Sequence, residues 1–269
     1  MQQNKKFFYA KNLSELQEIL KSHEDLSLLG GCTAIKTLKE NSLCLRKIPE
    51  LRIIEKRERY IELGPAVTLA EIESYGANRL PPMIFEAVKS IGTKLIRNMA
   101  TIGGNILTED FYGTLYAPLL ALDARLEFAR GIETIYIPLS KFEKIPRDAI
   151  LTKIRIPIDD WDISYFRKIG SPCLLDKGSA SFAFLASSLK NQVANMRVAF
   201  AGPICFRDNE LENILQGAFL PLSASNIKYM MHEAEERFGE FARENREKVS
   251  PMLEHQFLNL LKYSLEKLS

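Results

Sequence analysis

Two glycine pairs are the residues best suited by type and spacing to hold a ligand. One lies in residues 28–35, L-L-G-G-C-T-A-I, and the other about seventy residues later in residues 96–105, I-R-N-M-A-T-I-G-G-N. Glycine accepts positive φ and lets the backbone approach a ligand closely. In the second stretch Gly103 and Gly104 stand between the hydroxyl of Thr101 and the amide of Asn105. Successive N–H groups turned to one side form a concave nest for phosphate oxygens, to which those side chains can add hydrogen bonds. A bare G-G-N is usually an ordinary tight turn, and the other pair in a similar setting is what strengthens the ligand reading. There an apolar strand, residues 26–29, runs into Gly30 and Gly31, then Cys32 and Thr33, while Ala34, Ile35 and Leu38 begin a helical pattern. Strand, glycine turn and helix start point free N–H groups at an anion. No G-K-[ST] follows either pair and neither is G-x-G-x-x-G, so a P-loop or Rossmann site fits poorly. Two loops gripping the two halves of a pyrophosphate, from different subdomains, fit better.

The elements that must position these loops follow from periodicity. Residues 7–10 read as a strand, and Asn12 or Ser14 caps a helix with Leu13, Leu16, Ile19 and Leu20 on one face. Further strands are expected at 43–45, 51–55 and 60–63, the last two joined by a turn at 57–59. Thr68, with Glu71 three residues on, spells a capping box. Pro81 and Pro82 precede a helix over 83–90. After the second loop, P-L-L-A-L-D-A (118–124) reads as a buried helical turn, and 125–129 with 133–137 as a hairpin around Arg130 and Gly131. Residues 149–157 alternate like an exposed strand. Beyond a boundary placed at 160–168, strands are expected to alternate with helices, with 179–189 a strand edge or extended core segment. Ile227, Met230, Met231, Ala234, Phe238 and Phe241 form a helical stripe that reads as core packing rather than a cofactor box. Phe257, Leu261 and Leu265 mark a last helix.

Composition narrows the function classes. The 269 residues suffice for one large domain or two to three small ones. A 46% apolar and 26% charged chain is that of an ordinary globular protein. A formal net charge of +2, with basic residues scattered among acids, argues against nucleic acid. No apolar run approaches a membrane span, and the first dozen residues lack the apolar core of a secretory signal, so the expected compartment is the cytoplasm. Cys32, Cys44, Cys173 and Cys205 make no C-x-x-C, and His23, His232 and His255 are isolated, so no metal site is expected in this chain.

In this order the motifs resemble the FAD-binding medium subunit of the molybdenum hydroxylases, the family of xanthine dehydrogenase and carbon monoxide dehydrogenase type flavoproteins. The resemblance covers nearly the whole chain. It rests most on I-R-N-x-A-T-I-G-G-N, then on L-x-G-G-x-T (28–33), G-x-A-V-T-L (64–69) and P-L-L-A-L-D-A. Weaker support comes from F-R-K-I-G (166–170), Asp176, and A-G-P-I-C-F-R followed by Glu210. It implies an α+β fold: a two-subdomain FAD-binding domain of the vanillyl-alcohol-oxidase (PCMH) type over 1–164, with subdomains about 1–56 and 57–164. A C-terminal α+β domain over 165–269 follows. It also implies cofactor contacts. Those to the FAD pyrophosphate fall on Leu28, Leu29, Gly30, Gly31, Cys32, Thr33, Ala34 and Ile35, and on Thr101, Ile102, Gly103, Gly104 and Asn105. Contacts to the flavin and its linker fall on Ile91, Leu151 and Lys168, where a cation can stabilise anionic reduced flavin. The chain departs from the family at the aspartate that usually follows G-G-N. Counted without gaps, that place holds Thr114, and Asp110 lies too early.

The resemblance further implies an electron-transfer subunit, an oxidoreductase component active within a complex. A molybdenum-cofactor subunit would hydroxylate substrate, an iron–sulfur subunit carrying [2Fe-2S] clusters would relay electrons, and FAD here would pass them to an acceptor such as NAD or oxygen. The missing cysteine clusters fit that division, and no acid, base or nucleophile is nominated in this chain. A stand-alone FAD oxidoreductase of the same fold would need a flavin-facing acid or base, for which no candidate stands out. A non-catalytic assembly subunit that has lost FAD is favoured by Thr114 and opposed by the two intact glycine loops.

Overall fold

The computed structural model describes residues 5–23, 25–35, 37–108, 111–171 and 178–269; Asp110, Cys173 and Asp176 lie outside them. In chain order the elements begin with β1 (Lys6–Phe8), α1 (Leu13–Ser22), β2 (Leu26–Leu29), β3 (Asn41–Cys44), β4 (Ile54–Lys56) and β5 (Tyr60–Leu63). Four helices follow, α2 (Leu69–Tyr75), α3 (Pro82–Lys89), α4 (Lys94–Met99) and α5 (Ile102–Ile106), then α6 (Tyr116–Ala121). Next come the strands β6 (Arg125–Arg130), β7 (Glu133–Pro138), β8 (Ile150–Pro157), β9 (Ile163–Ile169), β10 (Ala180–Leu189), β11 (Gln192–Ala201) and β12 (Cys205–Phe206). The chain closes with α7 (Asn209–Asn213), α8 (Ala224–Glu244) and α9 (Pro251–Glu266). The fold is α+β. No helix among the described residues is long and apolar enough to cross a membrane.

The chain divides into two compact units. The first comprises Met1–Pro81, Ile91–Thr108 and Leu122–Ile158; the second comprises Pro82–Ser90, Glu109–Ala121 and Asp159–Ser269. In the first unit β1, β3 and β2 form a parallel three-stranded sheet with β3 in the middle. α1 starts at the expected cap, where the Asn12 side chain accepts from Glu15 N at 2.9 Å. Its Leu16 is buried with Leu43, Ile48 and Leu51 in one cluster. Leu51 belongs to a 3-10 turn, Pro49–Arg52, rather than to the strand expected there. A second, antiparallel sheet runs β4-β5-β8-β6-β7. Central β8 is largely buried, which corrects the expected exposed strand. Its charged residues are there because they pair across the sheet: Arg155 donates to Glu62 at 2.6 and 2.9 Å, and Lys153 lies 3.5 Å from Glu127. Arg155 and Lys153 are themselves half-exposed, and the buried charge that this pairing serves is the Glu62 carboxylate.

The second unit contains an antiparallel sheet in the order β12-β11-β10-β9. Beyond residue 160 the sequence expectation of alternating strands and helices is corrected, because β9 to β12 come first and α7, α8 and α9 follow. β10 is a central strand rather than an edge. The α8 stripe is core: Met230, Ala234 and Phe238 are fully buried, and Phe238 stacks on Phe257 of α9 with ring centroids 4.1 Å apart.

Candidate functional site

The first glycine loop begins where β2 ends. Leu28 is half-buried and Leu29 buried beside Cys44 of β3. Neither glycine has positive φ; the left-handed residue is Cys32, at φ 56°. Close approach is what demands glycine here. A Cβ on Gly31 would collide with the carbonyl oxygen of Met99, and one on Gly30 would lie 2.5 Å from Thr101 Oγ1. The chain then turns outward, leaving Cys32, Thr33, Ala34 and Ile35 exposed without a helix, so the helix start expected at Ala34 does not form. Among the described residues no hydrogen bond engages the backbone N–H groups of Gly31, Cys32 or Thr33.

The second loop is built the opposite way. Residues 65–69 and 100–103 are laced together: Thr68 and Thr101 form an antiparallel bridge, Leu69 N donates to Ala100 O at 2.9 Å, and Ile102 N to Val67 O at 3.0 Å. Gly103 N donates to Pro65 O at 2.9 Å, and a Cβ on Gly103 would lie 2.7 Å from that residue. Thr101 caps α5, its hydroxyl accepting from Gly104 N at 3.1 Å, and its carbonyl accepts from Asn105 N at 3.0 Å. The N–H groups of Ile102, Gly103, Gly104 and Asn105 are therefore all committed within the protein. The open anion nest expected at T-I-G-G-N is corrected to a helix turn whose Thr101 hydroxyl abuts Gly30. Of these residues Gly104 alone is exposed.

Three sequence motifs thus converge in the first unit, around Gly31, Thr68 and Thr101. Thr68 also carries the expected capping box, with its N–H donating to Glu71 Oε2 at 2.8 Å. Burial works to raise the Glu71 carboxyl pKa, but hydrogen bonds from Thr68 and from the Arg52 guanidinium outweigh it and hold the group below its ordinary value. Sequence reasoning missed the part of Arg97. Its Nε donates to Glu73 at 2.9 Å and its Nη1 to the carbonyls of Ile91 and Gly92 at 3.1 and 2.9 Å. That fastens α4 and orients buried Ile91. Nothing in the spacing of Glu73 and Arg97 signals this pair.

The remaining expected residues have separate settings. Leu151 is buried in β8 opposite Phe128 of β6. In the second unit Thr114 is 3% exposed just before α6. Lys168, half-buried on β9, donates from Nζ to the carbonyl of Ser90 at 3.3 Å.

Comparison with known proteins places these features in a family. Residues 3–159, more than half of the chain, match the family described as "FAD binding domain in molybdopterin dehydrogenase". The chain is 28% identical over 244 residues to a xanthine dehydrogenase of Emericella nidulans, covering 79% of this chain and 18% of that protein. It is 28% identical over 137 residues to the nicotinate dehydrogenase FAD-subunit of Eubacterium barkeri, covering 46% of each. The chain therefore spans less than half of either relative. Its fold matches a chain of the carbon monoxide dehydrogenase from Hydrogenophaga pseudoflava with a TM-score of 0.77 at 17% identity, covering 98% of this chain and 96% of that one.

FAD is the cofactor this family's domain takes, and the first loop fits its diphosphate. The uncommitted N–H groups belong to Gly31, Cys32 and Thr33, and the glycine pair packs on the Met99 and Ala100 backbone and the Thr101 side chain. Such donors suit phosphate oxygens. By the match over residues 3–159 and this fit, the chain belongs to the FAD-binding domains of the molybdopterin dehydrogenases.

Proposed function

We propose that this chain is the FAD-carrying electron-transfer subunit of a cytoplasmic molybdenum hydroxylase complex. It would receive electrons from iron–sulfur clusters on one partner subunit, which draws them from a molybdenum-cofactor subunit, and would deliver them to an acceptor such as NAD or oxygen. FAD, when bound, supplies exchange between single-electron and paired-electron carriers. The chain's own residues bind and orient it. Gly31, Cys32 and Thr33 donate backbone N–H groups to the diphosphate, with Leu28, Leu29, Gly30, Ala34 and Ile35 shaping that loop. Thr101, Ile102, Gly103, Gly104 and Asn105 support it from behind. Ile91, Leu151, Thr114 and Lys168 are further cofactor contacts in the same proposal, and a lysine suits a contact to reduced flavin because its charge favours the anion.

The observation that carries this reading is that the N–H groups of Gly31, Cys32 and Thr33 take no acceptor among the described residues, on a loop that cannot tolerate a side chain at Gly31. The test is to purify the chain and record its visible spectrum before and after adding FAD. Uptake of FAD with flavin absorption is expected, and so is reduction of the bound flavin when the partner subunits and their substrate are supplied. A colourless chain that ignores FAD, even when copurified with its partners, would contradict the proposal.

A further inference from the structure

In parallel sheets ligands seat at the carboxyl ends of the strands. β1, β3 and β2 are parallel, so their carboxyl ends lie along one edge, with Leu29 of β2 beside Cys44 of β3. The chain leaving β2 there is the open glycine loop. The chain leaving central β3 carries Arg46, in the 3-10 turn Leu45–Lys47. Its guanidinium is held in place: Nη1 donates to Met99 Sδ at 3.2 Å, and Nη2 reaches the Asn98 carbonyl at 3.5 Å. These residues end α4, and Met99 is the residue against whose backbone Gly31 is pressed. Arg46 is therefore anchored to the floor of the open loop. Its charge reaches the loop itself. At Cys32, burial pushes the thiol pKa up, Cys44 adds to that push, and Arg46 opposes both.

Among the described residues, three other basic side chains of this unit are already engaged. Arg52 pairs with Glu71, Arg97 with Glu73, and Lys47 lies over the Tyr9 ring. Arg46 differs: among the described residues it has no carboxylate partner, only a thioether and one long carbonyl contact. Those occupy little of a five-donor fork. A planar guanidinium with spare donors, resting on the same Met99 that Gly31 packs against, matches a phosphate group.

We propose that Arg46 is a phosphate-binding residue, its guanidinium completing with the N–H groups of Gly31, Cys32 and Thr33 the site for the diphosphate of FAD. This rests on the reading of the first loop as the diphosphate site. The structural rival is that Arg46 serves only to cap the carboxyl end of α4, a favourable place for a cation.

The test uses the full chain freed of flavin, titrated with FAD at low and high salt, together with Arg46→Met and Arg46→Lys. A charged phosphate contact gives binding that weakens with salt. Arg46→Met is expected to weaken FAD binding roughly ten- to hundred-fold at low salt. It should also flatten the salt dependence and leave the melting temperature of the FAD-free chain unchanged. Arg46→Lys should recover part of the affinity. If Arg46→Met binds FAD as tightly as the unaltered chain with the same salt dependence, the proposal falls while the diphosphate reading of the loop stands. If Arg46→Met lowers the FAD-free melting temperature and Arg46→Lys rescues no affinity, Arg46 is a helix cap and the proposal falls. If the unaltered chain takes up no FAD, the reading beneath it fails first.

Discussion

The two glycine pairs look alike in sequence and do different work. Among the described residues the N–H groups of residues 31–33 take no acceptor, whereas at residues 102–105 every N–H is used inside the protein. Both pairs need glycine for close approach, but they approach different things. Gly31 and Gly30 press on the 99–101 backbone and side chain, and Gly103 presses on Pro65. In the proposed reading the first loop holds the diphosphate, and the second backs it. A glycine pair therefore reports tight backbone packing first, and the fate of the N–H groups decides which pair can bind an anion.

The sharpest way to break this contrast is to put a side chain where the loops meet. Gly31→Ala would drive a methyl into the Met99 carbonyl, a backbone atom that cannot swing away. Overpacking of this kind costs about 1–3 kcal/mol and sometimes more, so a loss at or above the top of that range is expected in urea or thermal unfolding. FAD uptake should be lost with it. A smaller effect is expected from Thr101→Val, which removes the cap on Gly104 N while leaving the 65–69 lacing intact. Loss of such a cap costs about 1 kcal/mol. Stability should fall by that much, with FAD affinity reduced less than by any change at residues 31–33.

The smallest effect is expected at the capping box behind the wall. The folded-state pKa of Glu71 is held below its ordinary value of 4.5, so its contribution is present above that pH and fades as pH falls through the folded value. The Arg52–Glu71 pair is well exposed, which limits the gain. Glu71→Gln should therefore lower stability by no more than about 1 kcal/mol at neutral pH. The difference from the unaltered chain should shrink below about pH 4.5, as pH-dependent unfolding curves would show.

Much of the scaffold was legible because its signals are local. β2, the Asn12 cap of α1, the Thr68–Glu71 box and the α8 stripe each depend on residues within a few positions of one another. What was hidden depends on distant partners. β8 read as exposed because Lys153 and Arg155 are charged, yet their carboxylates come from β6 and β5. The second loop read as an anion nest because the acceptors that consume its N–H groups, Pro65 and Val67, lie more than thirty residues upstream. Arg97 and Arg46 carried no spacing signal, since Glu73 and Asn98 reach them only through the fold. The two glycine pairs could be read from sequence, but not which of their N–H groups the fold leaves uncommitted.

That division is tested most directly by amide hydrogen exchange on the chain with and without FAD. Without FAD, the N–H groups of Gly31, Cys32 and Thr33 are expected to exchange quickly, and those of Ile102, Gly103, Gly104 and Asn105 slowly. Adding FAD should protect the first set and leave the second nearly unchanged. Fast exchange at 102–105 that becomes slow on adding FAD, with 31–33 unaffected, would contradict the assignment of the open loop as the diphosphate site.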